Sequence, residues 1–356
     1  MTVVTKIIYN VALLFIMMIP GVLLKKLKMV PDGFGKGLSN LVLYIAQPAL
    51  IFLAYVRDFN AEILKNSAYV FVLSIIAHAL FAAIAMLCFK KAPDGRRRML
   101  RFATIFSNAA FMGIPLIAAV LEGQYPGATV YASIYNITFN MFLWSLGVKI
   151  CTDDRDVNDN GIDDYDEHRD LAKKTNFKKG ASPLKAVYHP VTIAAALGLC
   201  FFLLQNVFPA MKAFIPDVAL SAGKLTAANC VPKIIAESLT MLKALVAPLS
   251  MLVIGLRLAD MNFKGMLTDK YMYLFLSLRH VILPLAVVGV VKLVSLFLPL
   301  APEVGMVAVI LASAPAATSA TMFAEMYDCD ANYVSRIVTV STLLSILTMP
   351  VILLLM

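Results

Sequence analysis

The stretch Phe106-Ser-Asn-Ala-Ala-Phe-Met-Gly-Ile-Pro-Leu116 has what an uncharged anion site needs, and it lies within an apolar run from about residue 102 to 121. Pro115 has no backbone N–H, and its ring opposes the carbonyl four residues earlier. The residue before it is pushed out of the helical region, and Gly113 adds a second weak point. At membrane depth, freed backbone groups are tolerated only where protein buries them or a wet cavity receives them. A carboxylate carried to that depth must exchange its water for hydrogen bonds or positive charge. The N–H groups and dipole at the start of a half-helix supply both. Helices resuming after Pro115 and after Pro315 could present such ends from opposite sides. Asn108 adds an amide donor without fixed charge, which lets an anion leave as well as enter, and Ser107 stands beside it. The competing role for Asn108 is to satisfy backbone groups at the break.

Other polar residues fall inside apolar segments. Asn136 and Asn140 are four apart and share a helix face, where they extend the site or bond between helices. Ser313, Thr318 and Ser319 flank Pro315 and carry the same two readings. Arg279 lies roughly 13 Å into its segment, deep enough to require a partner or a cavity. It could neutralise an anion, couple to Glu325, or snorkel. His78 is the histidine placed to carry a proton near neutral pH, or to serve as a hydrogen-bonded core residue. Lys243 and Lys292 can snorkel and receive no role.

A different chemistry stands in the polar stretch 151–187. Asp156-Val-Asn158-Asp-Asn160-Gly161, completed by Glu167, fits the calcium-loop pattern D-x-[DN]-x-[DN]-G-x5-E. Oxygen ligands at those positions suit a hard cation. Residues 153–167 carry eight acids and one Arg, so the match also arises by composition alone. The alternative is a solvated acidic loop, followed by a basic run (Arg169, Lys173, Lys174, Lys178, Lys179) that could lie on anionic lipid.

These residues must be held by membrane-spanning helices. Apolar residues make up 60% of the 356 and charged ones 15%, with mean hydropathy +0.81, against about 45–50% and 25% in ordinary globular domains. The net charge of +9 therefore speaks of loop topology rather than nucleic acid, and no nucleic-acid motif is present. The five cysteines (Cys88, Cys151, Cys200, Cys230, Cys329) form no CxxC pair and read as small apolar residues. Residues 1–27 lack a small-residue cleavage site and read as a retained first span.

Segments of about 20 apolar residues can cross a bilayer as helices. Ten are expected, near 7–24, 37–56, 67–89, 101–121, 128–150, 189–208, 236–257, 271–297, 303–324 and 333–356. Of the 31 Lys and Arg, 22 fall at the loops after spans 1, 3, 5, 7 and 9, against 6 at the other side. Positive loops stay in the cytoplasm, so both termini face outside and 151–187 faces the cytoplasm. Pro48 and Pro115 are 67 residues apart, as are Pro248 and Pro315, each pair in the second and fourth span of its half. Five spans per half is odd, so the second half, from about 188, inserts upside down relative to residues 1–150. Inverted repeats with broken helices are a transporter architecture.

With these motifs the chain resembles the auxin efflux carrier family. Asn108 to Leu116 followed by Glu122-Gly123 is similar to its fourth helix. Ala314-Pro315-Ala-Ala-Thr-Ser, Phe323-Ala-Glu-Met-Tyr327 and Ser341-Thr-Leu-Leu-Ser345…Pro350 are similar to its ninth and tenth. His189-Pro190…Gly198 and Ala247-Pro248-Leu-Ser…Gly255 are similar to its sixth and seventh. The resemblance implies a bacterial member of a family of plant auxin exporters and bacterial carriers of small organic anions such as dicarboxylates. It sits in a superfamily with bile-acid transporters and sodium/proton exchangers. It further implies an elevator-type alternating-access protein of the plasma membrane. Spans 1, 2, 6 and 7 would be the scaffold, spans 3–5 and 8–10 the transport domain, with spans 4 and 9 crossing. It implies a homodimer and contact between Asn108 and a substrate carboxylate; no cofactor is expected beyond a possible calcium in the 151–187 loop.

Other classes fit less well. A membrane prenyltransferase needs two Asp-rich clusters facing one cavity, and this chain has one, in a loop. A hydrolase needs a nucleophile beside a base, and His78, His168, His189 and His280 sit in no such motif, so no enzyme is expected. A sodium-coupled symporter is the runner-up, weakened because the first eight spans hold no midplane Asp or Glu. A channel or a ligand sensor on a transporter fold also stays open.

Overall fold

The computed structural model describes residues 3–31, 33–152, 188–215, 230–259, 269–327 and 329–355. Among them all regular structure is helical, as long apolar segments that must satisfy their own backbone in lipid require. Five helices are long and apolar enough to cross a membrane: Phe34–Tyr55, Ala61–Cys88, Cys230–Ala259, Lys270–Ser295 and Asn332–Leu353. The other expected spans are shorter, interrupted or, along Ala128–Thr152, less apolar. The calcium-loop residues Asp156, Asn158, Asn160 and Glu167 lie outside the described residues.

The first half begins with α1 (Val3–Ile16) and α2 (Ile19–Lys26). Next come α3 (Phe34–Leu41) and α4 (Gln47–Tyr55), joined by the π-turn Val42–Ala46, and the long α5 (Ala61–Cys88). The Asn60 side chain accepts the Glu62 N–H and caps α5. The fourth expected span is cut in two: α6 (Asp94–Ile105), then the π-turn Ala109–Gly113 running into α7 (Ile114–Val120). α8 (Ala128–Phe142) and α9 (Val148–Thr152) are joined by a third π-turn.

The second half contains α10 (Pro190–Leu204), α11 (Cys230–Ala244) and α12 (Val246–Ala259). α13 (Lys270–Ser277) runs through the π-turn Leu278–Ile282 into α14 (Leu283–Ser295). The ninth expected span is also cut, into α15 (Pro302–Ser313) and α16 (Ser319–Met326), and α17 (Ala331–Leu353) ends the chain.

Two packing sets share one apolar core. In the first, α2 lies along α12, and α4 lies against α10 and α11. Gly21 and Gly255 bring the α2 and α12 backbones together: a Cβ added to Gly255 would lie 2.1 Å from the Met18 carbonyl oxygen. In the second, α5 packs on α8 and α15, while α17 packs on α15 and α16. The two sets are tied beyond α7, where the Arg57 guanidinium, following α4, pairs with the Glu122 carboxylate.

Candidate functional site

The two interrupted helices meet at their breaks. After Ile105 the chain extends through Phe106, and Ser107 bridges Ala316 in antiparallel fashion. The Asn108 N–H donates to the Pro315 carbonyl at 2.7 Å, and the Ala317 N–H donates to the Phe106 carbonyl at 2.9 Å. Each unwound stretch thus satisfies the other, which is what allows both to leave the helix within an apolar interior.

The first break therefore falls before Ala109 rather than at Pro115, and the half-helix resumes upstream of the proline. The Asn108 carbonyl accepts from both the Met112 and Gly113 N–H groups at 3.1 Å. The Ile114 N–H bonds the Ala109 carbonyl. In that π register the next donor would be the N–H that Pro115 lacks, leaving the Ala110 carbonyl over. The Gln47 side chain donates to it at 3.3 Å. A side chain from α4 thereby mends the gap that the proline opens. The second break differs: Pro315 lies inside it and α16 starts afterwards, at Ser319. Gly113 permits the close approach of the two elements, since an added Cβ would lie 2.5 Å from Leu311 Cδ2.

Below the breaks is a cavity of about 580 Å³. Ser107, Asn108, Asn136, Asn140, Thr318 and Ser319 line it, together with Gln47, Trp144 and Arg257. Phe111 and Phe139 give it apolar walls, and its rim carries Lys25, Lys36 and His189. No Asp or Glu is among the described lining residues. Buried polar atoms are almost always hydrogen-bonded. Here Ser107 Oγ, Asn108 Nδ2, Asn136 Oδ1, Gln47 Oε1, Ser319 Oγ and Trp144 Nε1 are buried without a hydrogen-bond partner among the described residues. Four of these six can donate: the Asn108 amide, the Trp144 indole and the two serine hydroxyls. Asn140 is turned back onto its own helix, its Nδ2 donating to the Asn136 carbonyl at 2.9 Å. The Arg257 guanidinium donates to the Thr318 carbonyl at 2.8 Å and to Thr321 Oγ1 at 2.7 Å.

The remaining candidates lie elsewhere. Ser313 Oγ donates to the Val309 carbonyl of its own helix, and Pro315 is packed into the break. Arg279 is wholly buried; it donates to the Ala314, Thr104 and Ala312 carbonyls between 2.6 and 3.1 Å. Those carbonyls end α6 and α15, where the helix dipoles are negative. Its cation is thus met by two helix C-termini, with the Phe81 ring 5.7 Å away. His78 Nδ1 lies 2.7 Å from the Ser74 carbonyl, between the Tyr135 and Phe142 rings at 5.2 Å. Of Glu325, only its place in α16 is described. His280 was overlooked: it is buried, with Nε2 2.8 Å from Ser341 Oγ, which accepts the Ala316 N–H at 3.0 Å.

Two signals for the missed lining residues were present in the sequence. Gln47 stands before Pro48 in an otherwise apolar run, and an amide there invites the question of what it bonds. Arg257 sits at the end of its segment, where positive charge ordinarily marks a loop.

A family profile described as "Membrane transport protein" matches residues 6–353. A comparison with curated proteins finds no match.

Proposed function

Because the chain belongs to the membrane transport protein family, that of the auxin efflux carriers, we propose that it is a secondary carrier of small organic anions and that the cavity below the two breaks is its binding site. The observation that carries this reading is the set of unpartnered donors gathered there by both crossing segments. Lys25, Lys36 and Arg257 also line the cavity, and no carboxylate is among the described lining residues. Neutral donors in a buried pocket replace the water an anion loses without trapping it as a buried fixed charge would. Asn108 is the residue assigned to the carboxylate.

In this reading the ten segments are two inverted five-helix repeats. The set built on α2, α4, α10 and α12 is the scaffold, and the set carrying both breaks moves as the transport domain. The cavity mouth, where Lys25 and Lys36 of the basic stretch after span 1 stand, faces the cytoplasm of a cell membrane, and the termini lie outside.

The test is charge movement across proteoliposomes on adding small carboxylates, with Asn108→Ala beside the wild type. A hydrogen bond to a charged group contributes about 1.5–3 kcal/mol, so Asn108→Ala should raise the half-saturating concentration by roughly 10- to 150-fold. Wild-type current left unchanged by Asn108→Ala would remove Asn108 from the site. Uptake without current, dependent on sodium or protons, would replace uniport with electroneutral symport.

A further inference from the structure

One peptide unit of the second break carries bonds on both of its sides. The carbonyl between Pro315 and Ala316 accepts the Asn108 N–H at 2.7 Å. The N–H of the same unit, that of Ala316, donates to Ser341 Oγ of α17 at 3.0 Å. A peptide unit is planar, so its carbonyl and its N–H turn together. Ser107 and Ala316 form a non-hydrogen-bonded pair, flanked by the Asn108–Pro315 and Ala317–Phe106 bonds. The strand pair therefore offers the Ala316 N–H no acceptor of its own, and Ser341 supplies it.

Ser341 is used differently from its neighbours. Thr339, Thr342, Ser345 and Thr348 each donate to a carbonyl of their own helix. Ser341 Oγ instead stands 2.8 Å from His280 Nε2 while it accepts the Ala316 N–H. Its hydrogen therefore goes to Nε2. A ring nitrogen that accepts carries no hydrogen, so the proton of the neutral imidazole sits on Nδ1. Nδ1 faces Thr348 Oγ1 at 3.0 Å, and the Thr348 hydroxyl donates onward to the Leu344 carbonyl at 3.2 Å. Ala316, Ser341, His280 and Thr348 thus all donate in one direction, and bonds in such a row polarise and strengthen one another. Arg279, the residue before His280, holds the Ala312 and Ala314 carbonyls. Successive residues of a regular helix point about 100° apart, yet both of these are buried, in the π-turn Leu278–Ile282 that packs on α17. That turn grips the second break on both sides of Pro315, by its carbonyls before the proline and by its N–H after it.

We propose that His280 is a positioning residue for anion binding: through Ser341 it fixes the plane of the Pro315–Ala316 peptide, and that peptide holds Asn108 in the cavity wall. His280 touches neither the cavity nor an anion. Its effect on affinity passes through Asn108 and vanishes when the Asn108 amide is absent. This rests on the cavity being the anion site.

The chain has one Trp, and Trp144 lines the cavity, so its fluorescence reports occupancy in the purified full-length protein. Succinate and butyrate are titrated at fixed ionic strength, balanced with chloride. His280→Gln puts an amide oxygen near the place of Nε2 and keeps an acceptor for Ser341. His280→Asn reaches only the place of Nδ1 and keeps Thr348 alone. His280→Gln should therefore bind within about twofold of wild type. His280→Asn should bind roughly three- to tenfold more weakly, the scale of one neutral hydrogen bond, and Ser341→Ala should match it. Added to Asn108→Ala, His280→Asn should cost less than about twofold, because two residues acting as a unit are not additive. A merely structural histidine would cost the same factor in both backgrounds. That equality overturns the proposal, as does His280→Asn at wild-type affinity or His280→Gln as weak as His280→Asn. If the His280 variants do not fold, Ser341→Ala in the two backgrounds decides alone. Binding weakened by Asn108→Ala and untouched by His280→Asn leaves the cavity as the site and removes only the role of His280. Absence of any wild-type response to either anion removes both.

Discussion

Arg279 holds three carbonyls that no backbone donor can reach, at the ends of the two helix halves that lead into the crossing. Its planar fork spreads five donors over acceptors that the compact ammonium of a lysine, with three, would have to reach from a single point. A buried acceptor left unmade costs about 1–3 kcal/mol. Arg279→Lys should therefore lower the temperature at which the purified protein loses its monodisperse elution peak, and Arg279→Gln should lower it further. Wild-type thermal stability in both variants would refute the capping role. The same scale shows what single residues disclose. Asn108 was legible because an amide beside a breakable helix in an apolar run has few uses. The destination of the Arg279 charge was not, because the backbone carbonyls that receive it are the same for every side chain. Gln47 was hidden for a similar reason: its partner is a carbonyl freed by a proline in another helix.

At the scale of elements, the matched proline spacing of the two halves turned out to join unlike places. Pro115 lies in the first turn of α7, after a π-turn, whereas Pro315 lies within the second break. The existence of two breaks in the fourth and ninth segments was readable, since each is marked by a proline with small and polar neighbours. Their positions were not, because a break in an apolar interior settles where a partner strand can satisfy it. The Phe106–Asn108 stretch finds that partner in Pro315 and Ala317. The tightest element pair is α2 with α12, where glycine faces glycine. A Cβ added to Gly21 would lie 2.4 Å from the Leu252 carbonyl oxygen. Because the obstacle is backbone and not a side chain that can turn, Gly255→Ala must push the helices apart. Overpacking costs about 1–3 kcal/mol in an ordinary core, and the loss here should sit at the upper end, read as a lower melting temperature.

For the whole molecule, an ion pair joins the two packing sets remote from the cavity: Arg57, just past α4, with Glu122, in the loop after α7. Burial alone would raise the Glu122 pKa. The Arg57 charge and the bonds that the carboxylate accepts from the Thr129 and Gly127 N–H groups outweigh it, holding it below the ordinary carboxylate range. A carboxyl whose folded value is depressed contributes stability above its unfolded value and loses it as pH falls through the folded one. The tie should hold at neutrality and fail only below the usual carboxylate range. Glu122→Gln removes that dependence, flattening the acid limb of the melting-temperature profile and lowering its neutral plateau. An acid limb identical to the wild type would assign the acid sensitivity elsewhere. The all-helical, membrane-spanning class was legible from composition alone, because a chain this apolar has no other way to satisfy its backbone in lipid. The grouping of helices into two sets was not, since both sets present the same apolar faces and only packing tells them apart.

The bridge between Ser107 and Ala316 also bears on how the protein is made. More than two hundred residues separate the two partners, and at a synthesis rate of about 5–20 residues per second the earlier segment waits roughly 10–40 s for the later one. During that interval its backbone has no strand to pair with, so the energetics of lipid favour an unbroken helix through Phe106–Asn108. The binding geometry is then a late product of assembly, formed when the last segments arrive. A nascent chain stopped before α15 would carry every residue of the first break without the break itself.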